Sequence, residues 1–216
     1  MTKEEWDRMF LTLMPVVTGA ASITLGTLAL TRASPLGRRI VYQDGQYLVS
    51  VRYPRQLQNL QDFVQPDNPD VLAIYYQFGP DSWALYDFVC RNIDYRRDIG
   101  EMWQFPSETL RGAGDCEDTS FLLCSLLRCF SDAHVVLGSF QGYGHAWCDH
   151  MGQIMETTYT RAMPVSDPNN YCPHCLFNER EVIELWPGAL GEVFDLQRDE
   201  GLKLSLMAEA VECMSL

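Results

Sequence analysis

The sequence predicts an α+β domain in which a buried helix is followed by antiparallel strands, with a hydrophobic helix in front of it. Three features carry that expectation. Residues 119–130 place apolar side chains at 122, 123, 126, 127 and 130, which is helical spacing. Residues 134–140, 144–148 and 153–158 then read as three strands in succession, and a helix followed by strands is the order of an α+β fold, not of a parallel βαβ repeat. The composition, 47% hydrophobic and 21% charged over 216 residues, is that of an ordinary folded domain.

Such a chain buries roughly 70% of the surface its unfolded form exposes, so folding requires neither disulfides nor a structural metal. One folded domain is expected over residues 37–216, preceded by a segment, 1–36, that anchors or docks. Residues 9–31 carry no charge and are long enough, as a helix, to cross a bilayer of about 30 Å. Pro15, Gly19, Gly26 and five threonines lower the hydrophobicity of that stretch, so a docking arm fits equally. The leader carries Lys3 and Arg8 against Glu4, Glu5 and Asp7, the wrong sign for a secretory signal. With Arg32, Arg38 and Arg39 as the basic flank, the domain is expected on the cytoplasmic side, soluble or tethered.

A formal net charge of −13 repels phosphate backbones and excludes nucleic acid as a partner. The eight cysteines, Cys90, Cys116, Cys124, Cys129, Cys148, Cys172, Cys175 and Cys213, are scattered, several of them in apolar runs. That favours free thiols in a reducing compartment over a disulfide framework.

Along the chain, Asp44-Gly45 between β-rich runs predicts a hairpin over residues 39–51. Pro54, Pro66 and Pro69 interrupt a polar stretch. Asp81 or Ser82 then caps a helix with apolar positions at Trp83, Leu85, Tyr86, Val89 and Ile93. A glycine-rich approach leads to the helix after Asp115, which caps it, with Asp118 three residues on in a capping-box arrangement.

Cys116 thereby sits in the first helical turn, where the positive end of the macrodipole favours thiolate. By neighbourhood alone it reads as one more buried cysteine, and two residues downstream change that. If Asp149, His150, Met151 and Gly152 form a hairpin loop, Cys148 faces Gln153 and His145 faces Glu156. A carboxylate opposite an imidazole fixes its tautomer and orientation, as a general base requires; an ordinary cross-strand polar pair is the plain alternative.

The run 103–110 (WQFPSETL), the block 114–118 (GDCED), and Gly144-His145-Ala146-Trp147 followed by Met155-Glu156-Thr157-Thr158 resemble the transglutaminase-like cysteine proteases of bacteria, archaea and their viruses. The resemblance covers roughly residues 70 to 185. It implies a papain-like fold and thiol-dependent acyl transfer on a protein or peptide substrate, with Cys116 as nucleophile, His145 as base and Glu156 as third member. Many members of that family carry Asp in the last place. No cofactor is required for this chemistry.

Asp115, Glu117 and Asp118 surround Cys116 with negative charge that would raise its pKa unless offset. The resemblance points to calcium: related proteases use the acids on either side of the cysteine as ligands, which makes Asp115 and Glu117 calcium candidates, with capping and solvation as the plain alternative. The Cys116 N–H is one oxyanion donor, and Trp103 or Gln104 is the candidate for a second. A competing constellation, Cys172-Pro173-His174-Cys175, allows a redox pair or a zinc site completed by His150, His174 or Cys148. Both lack the surrounding pattern: no βαβ unit follows, and two zinc ligands are unassigned. Water as acceptor gives proteolysis, an amine gives transglutamination, and a noncatalytic binding module is the remaining alternative.

Overall fold

The computed structural model describes residues 32–33, 39–53, 56–97 and 102–196. The apolar segment 9–31 and Cys213 lie outside them, and no helix among the described residues is long and apolar enough to cross a membrane.

The architecture is mixed helix and sheet. A small antiparallel sheet comes first, from β1 (Arg32–Ala33), β2 (Arg39–Gln43), β3 (Gln46–Val49) and β4 (Gln58–Asn59), in that order. The turn between β2 and β3 is Asp44-Gly45 with φ of 51° and 81°, as the dipeptide predicts. Helix α1 (Pro69–Phe78) follows where the sequence reading saw only an interrupted polar stretch. Pro69 opens this helix instead of breaking one, because a first-turn proline gives up an N–H that has no partner anyway. The Asn68 side chain caps it, accepting from the Asp70 N–H at 3.0 Å. Helix α2 (Ser82–Asn92) is capped by Asp81, whose Oδ1 accepts from Trp83 and Ala84.

Two short strands, β5 (Asp94–Tyr95) and β6 (Ala113–Gly114), flank the one-turn helix α3 (Pro106–Thr109) and pair in parallel. Their pairing leads the chain into α4 (Cys116–Arg128), which is buried from Cys116 through Leu127. A helix enclosed on all sides needs partners all round; α1, α2 and α3 lie on part of its surface and the main sheet on the rest.

The main sheet is antiparallel, with order β11 (Val182–Glu184), β10 (Tyr171–Phe177), β7 (Ala133–Phe140), β8 (Tyr143–His150) and β9 (Gln153–Met155). Helix α5 (Ala189–Asp195) packs on β10 and β7. Alternation along β8 groups Ala146 with Cys148, which meets Cys124 of α4, and groups His145 with Trp147 at the alternate positions.

The β8–β9 hairpin corrects the expected register. Its connection is the two-residue turn Met151-Gly152, with φ of 54° and 80°, so His150 pairs with Gln153 and Cys148 with Met155. The four-residue loop would have paired Cys148 with Gln153. The slip is two residues, an even number, and leaves every side chain on its expected face. The third strand is also shorter than expected. It ends at Met155, since the Glu156 backbone leaves the ladder for Tyr86, whose Oη accepts from the Glu156 N–H at 2.9 Å.

Candidate active site

Helix α4 starts where it does because its first turn is capped from both directions. The Asp115 N–H donates to Asp118 Oδ2 at 3.1 Å, and the Thr119 N–H closes the first helical bond to the Asp115 carbonyl. The other oxygen of Asp118 accepts from the Gln104 N–H at 2.8 Å, which staples residues 103–105 to this helix end. That segment is fixed from its other side by Arg52, which donates to the Trp103 carbonyl and pairs in two-pronged fashion with Glu108 at 2.7 and 2.8 Å.

Cys116 is 2% exposed and its thiol donates to Glu117 Oε2 at 2.8 Å. Asp115, Cys116 and Glu117 hold their ligating atoms within 4.8 Å of one another, and all three are buried. Two carboxylates beside a thiol are a hard oxygen donor set, which suits calcium; the sulfur does not.

His145 and Glu156 meet across the sheet corner. The imidazole Nε2 lies 2.7 Å from Glu156 Oε2, with side chains 1% and 0% exposed. They are not the directly opposed pair expected from sequence. Continued one residue further, the observed ladder would set Glu156 opposite Trp147, so its carboxylate reaches His145 along the diagonal. Diagonal neighbours lie roughly 7–8 Å apart, a gap that the longer Glu side chain spans better than Asp would.

The carboxylate is saturated. Its Oε2 also accepts from Tyr171 Oη at 2.9 Å, and its Oε1 accepts from the Thr158 N–H at 3.0 Å and the Thr158 hydroxyl at 2.6 Å. Burial by itself pushes the Glu156 carboxyl up, but the His145 charge and the bonds from His145 and Thr158 outweigh it and hold it below the ordinary value. An ionised Glu156 can only accept, so Nε2 is the donor in this bond. Rings of Phe140, Trp147 and Tyr171 wall the imidazole at centroid distances of 6.1, 6.1 and 6.2 Å.

The acid's strand is tied to the thiol's helix by hydroxyls. Thr119 Oγ1, one turn after Cys116, lies 2.8 Å from Thr157 Oγ1, the residue following Glu156. Tyr86, Thr157, Thr158 and Tyr171 were invisible as site residues in the sequence. Only Thr157 and Thr158 carried a signal, as the two residues after Glu156.

The remaining sequence candidates divide. Trp103 is core, with its ring against Phe63, Phe121 and Phe194, and its Nε1–H is buried without an acceptor among the described residues. Gln104 sits beside the helix start through its backbone. The Cys172–Cys175 segment corrects the redox and zinc alternatives. It lies within β10 at a bulge, with Cys172 exposed, Cys175 buried, and both thiols free. A redox pair would need the end of a strand leading into a helix. His174 Nδ1–H donates to the Cys172 carbonyl at 3.0 Å, and its ring lies 4.8 Å from Trp186. Among the described residues, neither cysteine forms a ligand group with His150, His174 or Cys148. Burial pushes the Cys90, Cys148 and Cys175 thiols well above the ordinary range, and Cys129 up to about 11, so these four are poor nucleophiles at neutral pH.

No protein-family model matches the chain, and no curated protein matches it. Among solved structures, LapG of Legionella pneumophila is similar over 60% of this chain and 75% of its own, at 16% identity and a TM-score of 0.42. Its calcium-bound form is similar over 62% and 78%, at 15% identity and a TM-score of 0.39. A candidate cysteine protease of Cytophaga hutchinsonii is similar over 57% and 48%, at 19% identity and a TM-score of 0.40.

Proposed function

We propose that this chain is a transglutaminase-like cysteine protease, in which Cys116 is the nucleophile, His145 the base and Glu156 the acid that orients the base. The observation that carries the reading is the buried His145–Glu156 pair at 2.7 Å, with Nε2 committed to the carboxylate and Nδ1 left to take a proton. The imidazole is walled by three rings, and Thr157, the residue after Glu156, bonds Thr119 in the first turn of the cysteine-bearing helix, which supports the reading over a plain structural ion pair.

In this reading the Cys116 proton moves to His145 Nδ1 and the sulfur bonds to the substrate carbonyl carbon. The amide C–N bond breaks as His145 returns the proton to the departing amine. Water, deprotonated by His145, then releases the acid from the thioester. The Cys116 N–H, pointing out of the helix N-terminus, is one donor to the tetrahedral oxyanion, and Trp103 Nε1 or the Gln104 side chain is the candidate for the second. Asp115 and Glu117 would hold a calcium ion, whose charge would offset the carboxylates beside the thiol.

The test is turnover of a mixed peptide library read by mass spectrometry, with and without a primary amine, for the full chain and Cys116→Ala. Cleaved peptides that vanish with Cys116→Ala are the expected result. Amine incorporation without cleavage would make the chain a transglutaminase, and products unaffected by Cys116→Ala would overturn the assignment.

A further inference from the structure

Glu156 is held by more than the base it orients. Its Oε2 is shared by two donors on one face of the sheet, His145 Nε2 at 2.7 Å and Tyr171 Oη at 2.9 Å. Tyr171 opens β10 and pairs with Phe140 of β7, which in turn pairs with Tyr143 at the start of β8, two residues before His145. The register of three strands therefore sets the phenol and the imidazole on one oxygen. We propose that Tyr171 is a positioning residue of the acyl-transfer site: its hydroxyl fixes Glu156 Oε2 at the point where the carboxylate can orient His145.

This rests on the triad reading above and adds a residue that the triad does not contain. The Glu156 side chain joins the sheet along a diagonal, after the ladder has ended, so no strand pairing fixes it. Thr158 holds one oxygen through two bonds and leaves the carboxylate free to rotate about that end. The phenol supplies the second point of attachment. Tyr171 is suited to it because its ring is locked by Phe140 at 4.7 Å and Trp147 at 5.2 Å, each edge-on. Burial, and then the Glu156 charge, push its ionisation far above any working pH, so it remains a donor throughout. Tyr86 and Cys90 of α2 meet the Glu156 backbone and not its carboxylate, and Tyr159 donates its N–H to the Glu156 carbonyl and bonds the Tyr171 side chain.

The experiment uses the full chain labelled with 15N-histidine. In the unsubstituted protein the His145 Nε2 proton is expected as a slowly exchanging downfield resonance with a nuclear Overhauser contact to the Tyr171 hydroxyl proton; absence of that contact overturns the proposal, whatever the variants do. Tyr171→Phe keeps the ring and removes only the hydroxyl. It is expected to broaden the Nε2 resonance by exchange and to slow Cys116 alkylation about tenfold, the value of one hydrogen bond to a charged group. Phe177→Leu loosens core packing on the same strand, against Phe121, without touching Tyr171 or Glu156, and is expected to leave the resonance sharp. A Tyr171→Phe protein with wild-type resonance or wild-type alkylation rate overturns the proposal, as does the same broadening in Phe177→Leu. Glu156→Gln separates this from the underlying reading. If it slows alkylation while Tyr171→Phe does not, only the role of Tyr171 falls; if neither does, the triad itself falls.

Discussion

His145 Nε2 lies 2.7 Å from Glu156 Oε2 along the sheet diagonal, and both side chains are shut away from solvent. The pair is held at the end of a two-stranded ladder by Tyr86, which takes the Glu156 backbone, and by Thr158, which takes its other oxygen.

Glu156 makes the protein acid-sensitive in a definite direction. Its carboxyl lies below the ordinary value of 4.5, so the unfolded chain binds the proton more readily. The stability it contributes is present above 4.5 and is lost as pH falls through the lower folded value. Glu156→Gln should lower stability at pH 7 by about 2 kcal/mol and flatten the acid limb below pH 4.5, read by urea unfolding. The limb should not vanish, because Glu108 with Arg52 and Glu179 with Arg128 are lowered as well. An unchanged acid limb in Glu156→Gln would contradict the ionised carboxylate.

Asp149 behaves in the opposite sense. Burial pushes its carboxyl from 3.8 to about 6, against an apolar wall that includes Val136, Ile154 and Leu176. The folded state therefore keeps a proton that the unfolded state gives up, and stability falls as pH rises from 3.8 toward 6. Asp149→Asn retains the acceptor for the Gly152 N–H and should stabilise the protein above pH 6 by up to ~3 kcal/mol, with the gain shrinking toward pH 4. Equal denaturation midpoints for the two proteins at pH 7.5 would refute this.

Much of this architecture is legible in the sequence because local rules agree with the fold. The Asp44-Gly45 turn, the Asp81 cap and the Asp115 start of α4 are fixed by residues within three positions of the feature. The misses have nonlocal causes. Pro69 reads as a breaker until Asn68 is seen to cap a helix behind it. The register of β8 and β9 turns on Met151 accepting a left-handed conformation, which favours Gly or Asn and is uncommon for Met. The His145–Glu156 contact survives that error, because a slip by two residues preserves the face. The Tyr171 and Tyr86 contacts are not legible, since these residues arrive from a strand and a helix remote in sequence and no motif marks a hydroxyl that will meet Glu156.

Gly138 of β7 sits where a side chain has no room beside β10. It pairs with His145 on one side and Pro173 on the other, and a Cβ there would overlap the Cys172 carbonyl oxygen and crowd the Trp147 ring. Gly138→Ala should force β10 outward, destabilise the protein by roughly 1–3 kcal/mol and lengthen the Tyr171–Glu156 contact. A crystal structure of that variant with β10 in place would show the approach to be less tight than described.

Calcium is tested by removal. With Asp115 and Glu117 as ligands, a chelator should lower the melting temperature and peptide turnover together, and added calcium should restore both. Asp115→Asn should shift the calcium midpoint upward. Melting that ignores chelator and calcium alike would leave the two carboxylates as capping and hydrogen-bonding groups only.

The central claim is that Cys116 is the activated thiol among the seven free cysteines of the described residues. Brief treatment of the full chain with iodoacetamide at pH 7, followed by intact-mass and peptide mapping, addresses it most directly. The account predicts one fast adduct on Cys116, absent in Cys116→Ala and slowed at least about tenfold in His145→Ala, with exposed Cys172 reacting at the rate of an ordinary thiol. A fast adduct that maps to Cys172, or a Cys116 rate indifferent to His145→Ala, would contradict it.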